Sequence, residues 1–236
     1  MKQSKIIANN IHMKTLVLIS FFTLSTCLVF GQKNYATPNG GSANFTSVQT
    51  FDANGKVTRG ILANDVNLST PNGGSANFMK GTAVTFNANG KVTTGTMAND
   101  VNLSTPNGGS ANFMKGGVVV FDNNGKVTHG ILANTVNLST PNGGSANFMK
   151  GTAVTYNNNG KVTTGTVAND VNLSTPNGGS ANFMKGTAVT YDNNGKVTTG
   201  TLANDVNLST PNGGSSNFRK GTTVTFDNKG KVVSSH

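Results

Sequence analysis

The sequence predicts an all-β protein made of tandem β-hairpin repeats, and three observations support this prediction. Asn-Gly pairs follow one another at steps that alternate between 18 and 17 residues, after a first step of 15. Prolines recur every 35 residues from Pro71 to Pro211, and a fixed period of this size indicates a repeat architecture. Apolar and polar residues alternate between these turn signals, as they do in half-buried strands. The eleven pairs begin at Asn39, Asn54, Asn72, Asn89, Asn107, Asn124, Asn142, Asn159, Asn177, Asn194 and Asn212.

The Asn-Gly pairs are the predicted turns. Asn-Gly is the dipeptide that most readily places two successive residues at positive φ, so the sequence predicts type I′ turns. A twelfth pair is due at position 229, where Lys229-Gly230 stands instead. A chain that turns back every 17 or 18 residues is an array of hairpins.

One repeat unit runs from Pro71 to Thr105, and the chain holds six such units, the last of which stops at Val233. Val92, Thr94 and Thr96 are predicted to share one face of their strand, with Thr93 on the other. A single unit buries too little apolar area to offset its chain entropy, so neighbouring units must supply the missing contacts. Four strands are predicted for each unit, here Ala83 to Phe86, Lys91 to Met97, Val101 to Thr105 and Ser110 to Met114.

Two architectures satisfy this requirement. We expect the hairpins to stack in an open, elongated array, that is, a solenoid. The alternative is a closed, six-bladed ring resembling a propeller, in which residues 34–37 fill the strand that the last unit lacks.

The N-terminus differs in composition from the repeats. Lys14 precedes an apolar run from Thr15 to Phe30, which predicts a signal peptide over residues 1–31, with Met13 as an alternative start. Residues 32–37 are then an N-terminal strand or linker, and residues 38–236 form the six-repeat domain. The run is too short for a membrane span, so we expect a protein without a transmembrane segment, secreted or placed at the outer surface or in the periplasm. Cys27, the single cysteine, is a candidate for lipidation but is otherwise removed with the signal peptide.

The composition argues against an enzyme. The chain lacks glutamate, and only His129 and His236 lie beyond the signal peptide, neither in a catalytic grouping. We therefore expect no catalytic residue, no metal site and no cofactor. Calcium is a weaker alternative at turns such as Asp122 to Gly125, although the local carboxylates are too few for its usual coordination. The two rows of aspartates, exemplified by Asp65 and Asp52, are predicted to cap their own turns.

Lysines are the candidate binding residues. The formal charge of +10 falls to +7 once Lys2, Lys5 and Lys14 leave with the signal peptide. The repeat converts single lysines into rows, which suit an acidic glycan or another envelope polyanion. No aromatic residues are interleaved with the rows, so a specific nucleic acid partner is not expected. The candidates are Lys80, Lys115, Lys150, Lys185 and Lys220 in one row, and Lys91, Lys126, Lys161 and Lys196 in the other.

Threonines form a further repeated set. Thr93, Thr163 and Thr198 recur on a predicted outward face, beside a second row that includes Thr85 and Thr155. Regular threonine arrays are typical of ice-binding solenoids, and threonine also favours strands on a solvated face.

A family resemblance agrees with this picture. The segment FDANGKVTRGILANDVNL, residues 51–68, resembles repeats of secreted Bacteroidetes-type proteins with the pattern F-x-x-G-x-x-V-x-F-x-x-N-G-K-x-x-x-G-x-L-A-x-D. The resemblance covers nearly all of the chain after the signal peptide, and implies export and repetition without an assigned activity. The FDANGK stretch also resembles choline- and glucan-binding cell-wall repeats, which bind ligands through Trp and Tyr. Here Trp is absent, and only Tyr156 and Tyr191 lie in the repeats.

These observations predict an exported, non-enzymatic repeat protein with a structural or adhesive role at the cell envelope or outside the cell. Binding of a glycan or other polyanion along the lysine rows is the first alternative, and ice binding along the threonine face is the second. The near identity of the units also predicts self-association, because like strands pair readily between molecules.

Overall fold

The computed structural model describes residues 28–236 of the chain, with side chains from Gly31 onward. This part is all-β, with 23 strands and no helix, as predicted. It therefore contains no helix that could cross a membrane. The predicted leader lies outside the described residues as far as residue 27, and so do Met13 and Cys27. The first strand begins at Leu28 and includes most of the predicted linker.

Thirteen strands form one continuous sheet in which every neighbouring pair is antiparallel. After the first three strands, each repeat unit adds two more to this sheet. At about 4.8 Å between neighbours, the sheet is roughly 58 Å wide. Its strands, in spatial order, are Leu28–Ala36 (β1), Ser42–Phe51 (β2), Val57–Leu62 (β3), Ala83–Phe86 (β6), Val92–Thr96 (β7), Val118–Phe121 (β10), Val127–Ile131 (β11), Ala153–Tyr156 (β14), Val162–Thr166 (β15), Ala188–Tyr191 (β18), Val197–Thr201 (β19), Thr223–Phe226 (β22) and Val232–Ser235 (β23).

The remaining ten strands form five short hairpins, which we call the small hairpins. Each has the same register, with two asparagines directly opposite each other, as at Asn67 and Asn77. The small hairpins are Val66–Ser69 with Ser75–Phe78 (β4, β5), Val101–Ser104 with Ser110–Phe113 (β8, β9), Val136–Ser139 with Ser145–Phe148 (β12, β13), Val171–Ser174 with Ser180–Phe183 (β16, β17), and Val206–Ser209 with Ser215–Phe218 (β20, β21).

The array is open, and the closed ring is the wrong alternative. β1 and β23 lie at opposite ends of the 13-stranded sheet. Residues 34–36, which the ring would use to complete the last unit, pair instead with Ser42, Ala43 and Asn44 in their own hairpin. A partner a few residues away costs less loop entropy than one at the other end of the chain.

Phenylalanines join the small hairpins to the sheet. Phe148, at the end of a small hairpin, is completely buried and bridges to Val167. Its ring lies against Gly165, where a Cβ atom would be only 2.5 Å from the ring's Cδ1. Glycine in mid-strand therefore marks the close approach of the two layers. The same contact recurs between Phe78 and Gly95, Phe113 and Gly130, and Phe183 and Gly200, and Phe45 of β2 makes the equivalent contact with Gly60.

The sixth unit departs from this rule. Ser235 pairs with Val224 as Gly165 pairs with Val154, so a serine stands where five other units have glycine. Phe218, the corresponding phenylalanine, is only half-buried. In this unit the residue that faces the phenylalanine ring has a side chain, and the ring is less deeply buried.

A bulge in each unit changes which threonines face outward. Phe86 pairs with Val92, but Thr85 pairs with Thr94, so Thr93 is an extra residue. The alternation restarts after it, and Thr94 and Thr96 lie on the face opposite to Val92. The predicted common face of Val92, Thr94 and Thr96 is therefore wrong, because an unpaired bulge residue shifts the two-residue period.

The turns lie where the sequence predicts them, but their type differs from the prediction. All positive φ angles among the described residues belong to glycines, so the predicted type I′ turns, which need asparagine at positive φ, are wrong. Each loop has three residues, as where Asp122 N–H donates to Lys126 O and Gly125 N–H donates to Asp122 O. Gly125 has a φ of 73° and closes the loop as a bulge glycine. Pro71 fits such a loop because its φ is fixed near −65°.

Candidate functional site

The described residues enclose no pocket, and they hold no group of three or more His, Cys, Asp or Glu side chains that would suit a metal ion. The surfaces that remain as candidates are repeated ones. Three can be distinguished: the row of strand ends that carries the Ala-Asn-Asp bends, the opposite row of strand ends, which carries the Asn-Gly turns, and the face of the sheet away from the small hairpins. We call them the bend edge, the turn edge and the open face.

The first lysine row lies on the bend edge, and all five of its side chains are exposed. Its loops are fixed by backbone hydrogen bonds, such as Gly81 N–H to Leu62 O at 2.7 Å and Met79 N–H to Thr96 O at 2.9 Å. Successive lysines are two strands apart, or roughly 10 Å. The row consists of Lys80, Lys115, Lys150, Lys185 and Lys220.

An acidic side chain holds four of these five loops. The N–H of Lys115 donates to Asp100 Oδ1 at 2.7 Å. Asp65 does the same for Lys80, so this aspartate row caps a loop 15 residues further on and not its own turn, in contrast to the prediction. Thr135 replaces the aspartate in one unit, and its hydroxyl accepts from Lys150 N–H at 3.2 Å. The loop of Lys150 therefore lacks the neighbouring negative charge.

The second lysine row lies on the turn edge, at the opposite ends of the strands. Lys91, Lys126, Lys161 and Lys196 are half-buried there, each following the glycine of an Asn-Gly turn. At the corresponding position of the first unit, Lys56 Nζ donates to Pro38 O at 3.3 Å. The structure thus does not bring the two lysine rows together, and any one ligand strand would contact one row or the other.

The aspartates of the turn edge cap their own turns, as predicted. Asp122 Oδ1 accepts hydrogen bonds from Asn124 N–H and Lys126 N–H, both at 2.8 Å. Asn157 makes the same two bonds at 3.0 Å in its unit. A neutral amide therefore serves equally well here, which accounts for the interchange of Asp and Asn without any metal ion.

The open face carries a longer threonine row than the sequence analysis identified. Thr155 and Thr164 are direct cross-strand partners, and Thr164 is in turn opposite Thr190. Thr163, at the bulge, lies beside them and donates to Thr155 O at 3.3 Å. The threonines following the bulge were missed because they were assigned to the other face. The row runs Thr85, Thr94, Val120, His129, Thr155, Thr164, Thr190, Thr199 and Thr225 across successive strands.

The two repeat tyrosines belong to the core. Tyr156 and Tyr191 occupy the position held by Phe86 and Phe121 in other units, and each is about 5% exposed. Their hydroxyls have no hydrogen-bond partner among the described residues, and burial raises the pKa of both. They are thus not placed to stack against a sugar, which is how the cell-wall repeats use their aromatic residues.

The turn edge contains two kinds of Asn-Gly turn. In the small hairpins, Thr140 is buried and its hydroxyl donates to Asn142 Oδ1 at 2.7 Å. Gly144 N–H donates to the same oxygen at 3.1 Å. This turn also packs against the sheet turn at Gly195, where an added Cβ would lie 2.0 Å from Asn142 N. The buried threonines that anchor these asparagines are a second group that the sequence analysis missed, and their only signal was the constant Thr-Pro-Asn-Gly order.

Comparison with protein-family models and with curated proteins finds no match for this chain.

Proposed function

We propose that the chain is an exported, non-enzymatic repeat protein that has a structural or adhesive role at the cell envelope or outside the cell. The observation that supports this proposal is the open face, where one set of side chains recurs across a single sheet. Many weak, equivalent contacts to one partner surface combine into strong attachment. The resemblance to secreted Bacteroidetes-type repeats points in the same direction.

Adsorption of the full chain to uncharged hydroxylated and methylated films, measured by a quartz crystal microbalance, tests this proposal. A variant with Thr155→Lys, Thr164→Lys and Thr190→Lys places three charged side chains on the open face. We expect its affinity to fall at least about tenfold, or ~1.4 kcal/mol.

The matched control adds the same three charges to the exposed side of the small hairpins, as Asn137→Lys, Asn172→Lys and Asn207→Lys. It should adsorb like the unchanged chain. Equal losses in both variants, or no adsorption of the unchanged protein to either film, would contradict an adhesive open face.

A second candidate function is the binding of an acidic glycan or other polyanion on the bend edge. The exposure and the regular spacing of its five lysines favour this edge over the turn edge, where the lysines are half-buried. Retention on heparin should disappear by about 0.3 M salt, because exposed charge contacts are strongly screened.

Two variants of equal net charge separate the lysine rows. Lys115→Gln, Lys150→Gln and Lys185→Gln change the bend edge, and Lys126→Gln, Lys161→Gln and Lys196→Gln change the turn edge. We expect only the first to elute early. Equal elution of the two would indicate an effect of total charge, and no retention at low salt would exclude the candidate function.

Ice binding is the third candidate, favoured by the threonine row of the open face. The same open-face lysine variant tests it, because long charged side chains interrupt the row. Thermal hysteresis should be present in the unchanged protein and absent in this variant. Its absence from the unchanged protein at high concentration would refute ice binding.

A further inference from the structure

We propose that the Asn-Gly turns form two chemical classes, and that one class is a set of spontaneous deamidation sites while the other is protected by the fold. The anchored turns are those in which a threonine hydroxyl and a glycine N–H both hold the asparagine side chain. The free turns are those in which the asparagine side chain has no such partner among the described residues. Anchored turns contain Asn39, Asn72, Asn107, Asn142 and Asn177.

The free turns are the sheet turns other than the one between β1 and β2, together with the turn of one exceptional small hairpin. In the sheet turns the aspartate or asparagine two positions earlier binds backbone N–H groups, and the asparagine before the glycine projects into solvent. In the last small hairpin, Thr210 donates to Gly214 O at 3.3 Å in place of the asparagine. Free turns contain Asn54, Asn89, Asn124, Asn159, Asn194 and Asn212.

The reaction requires the asparagine side chain to move. The backbone nitrogen of the following glycine, after losing its proton, attacks the side-chain Cγ, and the amide nitrogen leaves as ammonia. Water then opens the five-membered succinimide to aspartate or isoaspartate, so the balance is asparagine and water giving acid and ammonia. Glycine favours the attack because it has no Cβ to obstruct it.

The hydrogen bond of the attacked glycine does not distinguish the two classes. Gly143 N–H donates to Thr140 O at 3.1 Å in an anchored turn, and Gly160 N–H donates to Asn157 O at 2.9 Å in a free turn. The difference lies in the side chain. Oδ1 of an anchored asparagine must give up two hydrogen bonds before Cγ can approach the glycine nitrogen. The side chain of a free asparagine makes no such hydrogen bond within residues 28–236.

Deamidation would change one edge of the molecule selectively. Five of the six free turns directly precede the half-buried lysines of the turn edge, as Asn159 and Gly160 precede Lys161. Each reaction adds one negative charge there, and all six together lower the formal charge from +10 to +4. The lysines of the bend edge lie at the opposite ends of the strands, so the charge around them would not change.

Timed incubation of the full chain in mildly alkaline buffer, followed by trypsin digestion and mass spectrometry, tests the proposal. Cleavage at lysine and arginine places nearly every Asn-Gly pair in its own peptide, such as 81–91, 116–126, 127–150, 162–185 and 197–219. We expect free turns to react at least about tenfold faster than anchored ones, which is ~1.4 kcal/mol of barrier. Similar rates in the folded protein would overturn the proposal, as would the absence of reaction at every turn.

Asn177 and Asn212 give a matched comparison within one molecule. Both stand in the same local sequence, Ser-Thr-Pro-Asn-Gly-Gly-Ser, but only Asn177 is anchored. In concentrated guanidinium the two should react at rates within about twofold, because the anchor is lost with the fold. A difference that persists in guanidinium would place its cause in the sequence and refute a structural origin.

Substitution of the anchoring threonine provides a second test. Thr140→Val removes one of the two hydrogen bonds to Asn142 Oδ1 and should accelerate the reaction of Asn142 toward the rate of the free turns, while Thr140→Ser should keep it slow. Asn72 and Asn177 in the same molecule report on folding, because general unfolding would accelerate them too. Continued protection of Asn142 in a folded Thr140→Val variant would contradict the role of the anchor.

Discussion

Substitution of Gly165 by alanine tests how the two layers are joined. A Cβ at this position would lie 2.5 Å from Cδ1 and 2.8 Å from Cε1 of Phe148, whereas carbon atoms in ordinary contact are about 3.5–4.0 Å apart. The ring or the whole small hairpin must therefore retreat by roughly 1 Å. Because Phe148 is completely buried, it has little room to do so.

The expected cost follows from two opposing terms. Overpacking of a filled core costs about 1–3 kcal/mol. Replacing glycine by alanine returns about 0.4–1 kcal/mol through the lower entropy of the unfolded chain. We expect Gly165→Ala to lower the free energy of unfolding by about 1–2 kcal/mol, with the full burial of a phenylalanine, ~3 kcal/mol, as the upper limit.

Urea denaturation followed by circular dichroism measures the overall effect, and hydrogen exchange of β13 and β15 measures the local one. Thr164→Ala is the control, because it alters the neighbouring residue on the open face. Combining Gly165→Ala with Phe148→Leu completes a double-mutant cycle, in which the smaller side chain should relieve part of the cost. If the alanine variant is as stable as the unchanged protein, or if the free-energy changes of the two substitutions are strictly additive, Gly165 is not needed to make room for the ring of Phe148.

Three further predictions follow from the described contacts. Tyr156→Phe and Tyr191→Phe should each raise the free energy of unfolding by about 1–3 kcal/mol in urea titrations, because each removes a buried hydroxyl that has no hydrogen-bond partner in the described part of the chain. Burial raises the pKa of these hydroxyls, so on raising the pH the unfolded chain loses their protons before the folded chain does, and the stability present below about pH 10 is lost above it. The double variant should therefore lose less stability at alkaline pH than the unchanged protein. Equal losses in the two proteins would contradict this. Thr135→Asp should stabilise the loop of Lys150 by about 1 kcal/mol and slow its hydrogen exchange, because it supplies the carboxylate that four other units have. Small-angle scattering should give a radius of gyration clearly above the ~17 Å expected for a compact domain of this length, and a value near 17 Å would be incompatible with the open array.

Strand positions were predictable because they depend on short-range patterns. The alternation of Val84 and Phe86 with Thr85 identified β6, and the turn residues around it fixed its limits. The open array was the favoured architecture of the two weighed, although repetition at a fixed period is equally compatible with a closed ring. Local chemistry also predicted that Asp122 caps its own turn.

Apart from the turn type, the errors share one physical origin, which is that they depend on contacts between separate segments of the chain. Thr93 is an extra residue only in relation to Phe86 and Thr94, so the bulge and the face of Thr94 cannot be read from one strand alone. Asp65 binds a loop 15 residues away, and Gly165 is explained only by a ring from another layer. The repeat alone placed the lysines in two rows, but which strand ends carry each row followed only from the pairing of the strands.

Because every unit joins the next through the same strand pairing, the width of the sheet increases in proportion to the number of units. Insertion or loss of one 35-residue segment would change its span by two strands, or roughly 10 Å, and would leave both ends as they are. Changes of length in whole steps of this increment would therefore be tolerated by the fold.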